Sequence, residues 1–324
     1  MTTSKRIDFS PDADIPSLEG KVILITGANS GLGKQASLDL AKHSPAMIYM
    51  AARDPVKGNK AVDDVNSQVP EAHVSYLEMD LSSFASIKKA AKTVLDSSPR
   101  LDILMLNAGL MGCPPKATVE GYEIQMGTNH LGHALLLKLL TPLLHHTSAI
   151  TGAPARVVSM ASSAWKHAGP EKIQFETLKD PFGGAVTPVR RYIQSKTANM
   201  LYASEVAKHC HSNTTDDTNQ GEKKPFVILS VDPGEVNTQL FTREPGDEQM
   251  AGLQAHVAPK VVRPVAEGVK NQLWAATAQD EDVVNGAHYE PVGYSPEPSG
   301  VMLDEELGAR VWEWTRNELE GQEI

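Results

Sequence analysis

Residues 21–33 read Lys-Val-Ile-Leu-Ile-Thr-Gly-Ala-Asn-Ser-Gly-Leu-Gly. The run Val22–Thr26 is almost wholly apolar and does not alternate, as expected of a parallel strand buried on both faces. A glycine-rich turn follows, and then a helical pattern from about Leu32 to His43. Gly27 permits a tight turn out of the strand, Gly31 lets a pyrophosphate approach the backbone, and Gly33 lets helix and strand pack closely. The N-terminus of the helix offers free N–H groups and the positive end of its dipole to phosphate. Between a buried strand and a helix, this turn predicts a nucleotide site at Gly27, Asn29, Ser30, Gly31, Leu32 and Gly33.

The same alternation continues outward. Strands are expected at 47–51, 73–79, 101–106, 156–160 and 226–231, with helices at 55–66, 84–95, 120–144 and 189–209. Ala287-His-Tyr-Glu-Pro is a candidate last strand and Leu303–Leu319 a terminal amphipathic helix, on which Trp312 and Trp314 cannot both take the buried face. Strand–helix alternation predicts an α/β fold, one Rossmann-type doubly wound parallel sheet with helices on both faces. No composition shift marks a second domain. Residues 1–20 read as an irregular arm and 21–324 as the domain. Within it, 211–224 is a polar surface insertion and 238–262 an aperiodic region beside the substrate.

A formal charge of −10 with no lysine- or arginine-rich block argues against a nucleic-acid partner. The polar start lacks a secretory h-region, and no stretch approaches the roughly 18 apolar residues of a membrane span. Cys113 and Cys210 are the only cysteines. They suit a reducing compartment, so a soluble cytoplasmic protein is expected.

The glycine turn is spaced T-G-x-x-x-G-x-G, and six further segments occur in a fixed order. These are Asp80-Leu81, Asn107-Ala108-Gly109, Thr128-Asn129-His-Leu-Gly, Arg156-Val-Val-Ser-Met-Ala-Ser162 and Tyr192-Ile-Gln-Ser-Lys196. Pro233-Gly234-Glu-Val236-Asn-Thr238 closes the series. Together they resemble the short-chain dehydrogenase/reductase family over about residues 20–240. Gly-Ala-Asn-Ser-Gly-Leu-Gly, Ala-Ala-Arg-Asp and Asn-His-Leu-Gly-His resemble its retinol-dehydrogenase-like branch. Tyr289-Glu-Pro-Val-Gly and Trp312-Glu-Trp resemble soluble fungal relatives, often of secondary metabolism.

The resemblance implies an NADP(H)-dependent oxidoreductase acting on a carbonyl or alcohol, with Ser162, Tyr192, Lys196 and Asn129 catalytic. It puts adenine at Asp80 and Leu81, places Asn107, Ala108 and Gly109 beside the cofactor, and sets Pro233, Gly234, Val236 and Thr238 at the nicotinamide. Lys196 also holds the ribose, and Asn129 a water that relays protons to it. A homodimer or homotetramer through 120–144 and 189–209 would follow family habit.

The residue types suit the chemistry. A tyrosine with a pKa of about 10 is a poor acid at neutral pH, and a lysine one helical turn away lies on the same face and lowers that pKa. Tyr192 then serves as acid or base, and Ser162 polarises the carbonyl. Ser159 and Ser163 lie close enough to compete with Ser162. Arg53, at the end of the second strand, and Lys57 would read a 2′-phosphate, with Asp54 capping the next helix ahead of Pro55. The rival is Asp54 as the ribose reader, which would favour NAD. Met111, Cys113, Pro114, Trp165, Phe182 and Phe241, on loops 110–117, 163–190 and 238–262, suggest an apolar substrate pocket. His130 and His133 lack a third ligand at metal spacing, so no metal is expected. A non-catalytic dinucleotide sensor, or an epimerase or dehydratase on the same scaffold, are the other readings.

Overall fold

The computed structural model describes residues 5–183, 186–212, 226–236, 238, 240, 244–256, 258–261 and 263–324. Seven parallel strands form one sheet: β1 (Val22–Thr26), β2 (Met47–Ala52), β3 (Val74–Glu78), β4 (Ile103–Leu106), β5 (Arg156–Met160), β6 (Val227–Val231) and β7 (His288–Tyr289). Their order is β3-β2-β1-β4-β5-β6-β7. The winding reverses between β1 and β4, which opens a crevice at the carboxyl ends of the strands.

Side chains of β1 show why the run must be apolar throughout. Val22 and Leu24 enter one core and Ile23 and Ile25 the other, because successive residues point to opposite faces. Helices α1 (Gly31–Ala41), α2 (Pro55–Gln68) and α7 (Lys270–Thr277) cover the Ile23 side. Helices α3 (Phe84–Ser97), α4 (Gly132–Thr151) and α5 (Pro188–Ser212) cover the Leu24 side. Within 238–262 lies α6 (Glu248–His256), and the chain ends on α8 (Glu305–Glu318). No helix among the described residues is long and apolar enough to cross a membrane.

Two expectations need correction, and the one for Trp312 and Trp314 stands. The stretch 120–144 is not one helix: a turn at Ile124–Met126 and a π-helical turn at Gly127–Leu131 precede α4. Apolar spacing does not reveal such a turn, because it changes the winding and not the composition. The N-terminal arm packs as part of the domain. It forms a helical turn at Pro11–Asp14 and buries Phe9, Ile15 and Leu18, while the Ile7 amide donates to the Val292 carbonyl at 2.9 Å. Its apolar residues are too sparse to show a period. On α8 both tryptophans are half-buried, one on each flank: Trp312 stacks on Tyr202 and His209, and Trp314 meets Tyr122, His130 and Phe175. The buried strip between them carries Val311 and Thr315. Helix α8 lies on α5, one of the two stretches that family habit would give to a second subunit. Of the insertion 211–224, only the first two residues, the end of α5, fall within the described residues.

Candidate active site

The glycine turn leaves β1 through Gly27 (φ +66°) and enters α1 through Gly31 (φ +55°). A Cβ on Gly33 would stand 2.5 Å from the Gly27 carbonyl oxygen and 2.6 Å from Asn107 Nδ2, so only glycine fits this strand–helix contact. Ser30 occupies the N-cap of α1 without a side-chain capping bond, which leaves the first-turn N–H groups available to an anion. Thr238 faces the turn, its Cγ2 3.7 Å from where a Gly31 Cβ would lie. Thr26 ties the turn to β4. Its hydroxyl oxygen accepts from the Asn107 and Ala108 amides at 2.9 Å each, and Asn107 Nδ2 donates to the Thr26 carbonyl at 2.8 Å.

Asp54 caps α2. Its Oδ1 accepts from the Val56 and Lys57 amides at 3.0 and 3.1 Å, and Pro55 opens the helix. Arg53, exposed directly after β2, is left as the charged side chain at the strand end. Lys57 is exposed and lies 3.9 Å from Asp54. Asp80 Oδ1 accepts from the Ser82 amide and hydroxyl at 2.9 and 2.7 Å. The Leu81 side chain belongs to the core and its carbonyl backs onto Gly132, which leaves the main chain as the part that could meet a ligand.

Beyond the end of β5, Ser162 and the buried Tyr192 are hydrogen-bonded through their side chains. Ser163 bonds instead to the Asp232 carboxylate through both its amide and its hydroxyl, and Ser159 is buried within the strand. Sequence leaves these three serines in competition; the structure gives Ser162 to Tyr192. Lys196 lies one turn along α5, with Nζ 6.0 Å from the Tyr192 ring centre and donating to the Met160 carbonyl at 2.8 Å. A Cβ on Gly109 would come within 3.6 Å of both Lys196 Nζ and Asn129 Oδ1, so the missing side chain keeps a gap open before the lysine.

The electrostatics depart from the simple expectation. Burial pushes the Tyr192 phenol up to about 12, opposed by the Ser162 hydrogen bond and reinforced by the Asp232 carboxylate. Burial also pulls Lys196 down to about 8, against the raising effect of Asp232. As the protein's own atoms set it, the ammonium serves the Met160 carbonyl and desolvation dominates the phenol. Asp232, itself raised by burial, carries the one carboxylate among the described residues that acts on both.

Asn129 sits in the π-helical turn, and its amide is largely spent inside the protein. Oδ1 accepts from the Leu110 amide at 2.7 Å, and Nδ2 donates to the Leu110 carbonyl and Ser195 Oγ at 2.9 Å each. Its main-chain carbonyl takes His133 Nδ1 at 2.9 Å, and His133 Nε2 meets Thr26 Oγ1 at 2.8 Å. The side chain thus fastens loop 110 to α5. At the far side, Pro233 and Gly234 follow Asp232, whose Oδ1 accepts from the Gly234 amide at 2.9 Å. Val236 bridges Arg263 and packs against Gly268.

Sequence reading assigns no role to Asp232, His133 or Gln125. Gln125, fully buried, accepts from the Gly112 amide at 2.8 Å and donates to the Pro188 carbonyl at 2.9 Å, while the Gly246 amide donates to Gly112 O at 2.7 Å. The three loops named as pocket walls are therefore tied at one point. Nothing in the sequence marks Gln125 except a polar residue in an apolar stretch. Of the proposed lining, Met111, Cys113 and Pro114 are half-buried, Phe182 is 72% exposed, and Phe241 lies outside the described residues. Trp165 is a correction: it is buried in a core cluster, with Nε1 donating to His288 Nε2 at 3.3 Å.

Comparison with known proteins bears on the family and the fold. The family model for short chain dehydrogenase matches residues 21–180. The short-chain dehydrogenase/reductase drtF of Aspergillus calidoustus is 32% identical over 314 residues, 96% of this chain and 97% of that protein. Human retinol dehydrogenase 12 is 33% identical over 272 residues, 84% of this chain and 78% of its own length. A crystal structure from Mycobacterium paratuberculosis superposes with a TM-score of 0.69 at 28% identity, covering 95% of this chain and 96% of its own. A short chain dehydrogenase of Escherichia coli CFT073 complexed with NADPH shares the fold, with a TM-score of 0.61 at 18% identity over 87% of this chain and 99% of its own.

Proposed function

We propose, from the premise that this chain belongs to the short-chain dehydrogenase/reductase family, that it is an NADPH-dependent carbonyl reductase or alcohol dehydrogenase for a largely apolar substrate. The observation that carries this reading is the cluster of half-buried Ser162 with the buried Tyr192 and Lys196 before the gap at Gly109. A non-catalytic sensor has no use for an acid and an ammonium desolvated together in that way.

The cradle fits a nicotinamide dinucleotide. Gly27, Gly31 and Gly33 clear the approach, Asn29, Ser30, Leu32 and the first turn of α1 receive the diphosphate, and Thr238 closes it from the opposite side. Asp80 and the Leu81 main chain would hold the adenine end. Asn107, Ala108 and Gly109 with Pro233, Gly234 and Val236 would frame the nicotinamide end. Bound there, the cofactor supplies the hydride. The chain's own residues manage the proton: Ser162 donates a hydrogen bond to the carbonyl oxygen, and Tyr192 gives that oxygen its proton. Lys196 provides the positive charge that offsets the phenolate left behind. Asn129 acts by holding loop 110 against α5. Arg53 selects the phosphorylated cofactor, with Lys57 adding charge nearby and Asp54 committed to the α2 cap. The likeness of Tyr289-Glu-Pro-Val-Gly and Trp312-Glu-Trp to soluble fungal relatives fits a place in fungal secondary metabolism, and loops 110–117 and 238–262 fit an apolar ketone or aldehyde. A cytoplasmic setting, and a homodimer or homotetramer that leaves α8 in place on α5, complete the proposal.

Following NADPH and NADH oxidation against aliphatic, aromatic and polycyclic ketones and aldehydes tests the reading. Turnover of at least one apolar carbonyl with NADPH is expected. No turnover across the panel, or equal use of NADH, removes the activity or the cofactor assignment respectively.

A further inference from the structure

The peptide between Met160 and Ala161 stands at an unusual place in the sheet. The Ala161 amide turns toward β6, donating to Val231 O at 2.8 Å. Neighbouring residues of a parallel strand face alternate sides, so the Met160 carbonyl points to the β4 side. Pairing with β4 stops at Leu106↔Ser159, one residue short. The sheet therefore supplies this buried carbonyl with no partner, and a buried carbonyl needs one. Two side chains of α5 provide it: Lys196 Nζ at 2.8 Å and Asn199 Nδ2 at 3.1 Å. Tyr192, Lys196 and Asn199 recur at i, i+4 and i+7, so all three project from one face of the helix.

The contacts of Asn199 fix its orientation and that of everything behind it. A carbonyl only accepts, so the amide nitrogen faces Met160 and Oδ1 faces His130 Nδ1, 3.2 Å away. Oδ1 also only accepts, which puts the imidazole proton on Nδ1 and leaves Nε2 as an acceptor. The partner of Nε2 is Thr315 Oγ1 at 2.8 Å, which must then donate. Thr315, His130, Asn199 and Lys196 are all at least nine-tenths buried. One directed chain of donors thus runs from the C-terminal helix α8 to the carbonyl that seats Lys196. With His130 held neutral by burial, no other arrangement of protons satisfies every atom in it.

Two donors on one carbonyl oxygen compete, because each draws electron density that the other would use. With Asn199 in place, the Met160 carbonyl holds the ammonium but does not hold it fully. Without Asn199, that carbonyl becomes a stronger acceptor serving Lys196 alone. We propose that Asn199 is a positioning residue for Lys196: it shares the Met160 carbonyl, so that the ammonium is seated yet free to turn toward the gap at Gly109, and the His130–Thr315 pair orients it. This role rests on the proposed redox function for its consequence in turnover, but not for its effect on the lysine itself.

The groups that face Lys196 are Tyr192 on its own helix, Asp232 from beyond β6, His133 from α4, and Asn129 beside Gly109. His133 is neutral above about 3, and Asp232 is present in every variant compared, so a change in the lysine is assignable. Two measurements test the proposal in the full-length protein. The Lys196 ammonium is titrated through the 13C shift of its Cε, assigned with Lys196→Arg, in wild type, Asn199→Leu and Thr315→Val. The midpoint is expected to rise by about half a unit or more in Asn199→Leu, because the carbonyl then serves the charged form alone, and by less in Thr315→Val. The turnover number with an accepted carbonyl should fall roughly five- to tenfold in Asn199→Leu. Its alkaline limb should move upward with the titration, with KM for the carbonyl little changed.

An unmoved midpoint in a folded Asn199→Leu protein overturns the proposal, as does a loss of turnover that merely tracks a loss of melting temperature and leaves the limb in place. If Asn199→Leu does not fold, Thr315→Val, which keeps the shape of the side chain, carries the test alone, and an unmoved midpoint there overturns the chain from α8. The titration uses protein without cofactor or substrate, so a chain that reduces no carbonyl would defeat the proposed function and leave this result standing.

Discussion

On the β1–β2 side of the crevice, a ligand would meet main-chain N–H groups and spaces kept clear by missing side chains. Gly33 is there because its Cβ would strike the Gly27 carbonyl, and Ser30 leaves the first turn of α1 uncapped. On the β5–β6 side it would meet side chains, buried or half-buried, each held by another group. Tyr192 is held by Ser162, Ser163 by Asp232, and Lys196 by the Met160 carbonyl. The first side works through backbone geometry, so it is robust to electrostatics and intolerant of a methyl group. The second works through desolvated charge, so its shape can survive the loss of one polar atom while its chemistry does not.

The sharpest way to separate the two sides is Tyr192→Phe. It removes one hydroxyl from the second side and nothing from the first. Turnover should fall by roughly a hundredfold or more, the scale of a lost general acid, while affinity for NADPH measured by fluorescence and the melting temperature hold steady. If affinity falls in step with turnover, the sides are not independent, and the division drawn above fails.

That division also explains what was legible beforehand. The glycine turn could be read because its chemistry lies in spacing along the chain, and the strand–helix alternation because each element carries its own period. Tyr192 and Lys196 could be read because one helical turn separates them. The choice among Ser159, Ser162 and Ser163 could not, since it depends on which hydroxyl the fold brings to Tyr192. Neither could the role of His130, whose partner Thr315 lies 185 residues away. Gln125 stayed hidden because its bonds run to main-chain groups of loops that share no pattern with it. The packed arm at Phe9 was missed because three buried residues in a polar stretch make no period.

Arg53→Ala probes the exception on the first side, an exposed side chain whose work depends on charge. Charge-assisted bonds to a phosphate are worth roughly 1.5–3 kcal/mol, so NADPH affinity should drop about ten- to a hundredfold. NADH affinity should change little, because that cofactor lacks the phosphate. Dissociation constants for both cofactors in both proteins decide it. A parallel loss for NADH would show Arg53 to be structural, and Asp54, for all its bonds to the α2 amides, would return as the ribose reader.

The smallest effect per residue concerns stability, and it too belongs to the second side. His130, His133 and His288 are buried with hydrogen-bond partners, and burial pulls them to about 4, 3 and 3 respectively. In the unfolded chain each returns to about 6.5. Below that pH the unfolded chain binds protons that the fold refuses, so their contribution to stability is complete above 6.5 and is lost as pH falls toward 4 and then 3. At pH 5.5 each imidazole costs about one decade in the folding constant, close to 1.4 kcal/mol. Glu123 and Asp232, raised by burial, run the other way, since their folded forms hold protons more tightly. The imidazole contribution is isolated by NMR. The ring signals of all three should stay those of neutral histidine from pH 8 down to 5.5, while urea unfolding followed over the same range shows the midpoint falling. A ring that titrates near 6.5 in the folded protein would show that its site admits water, and would strip that histidine of any part in a dry hydrogen-bond chain.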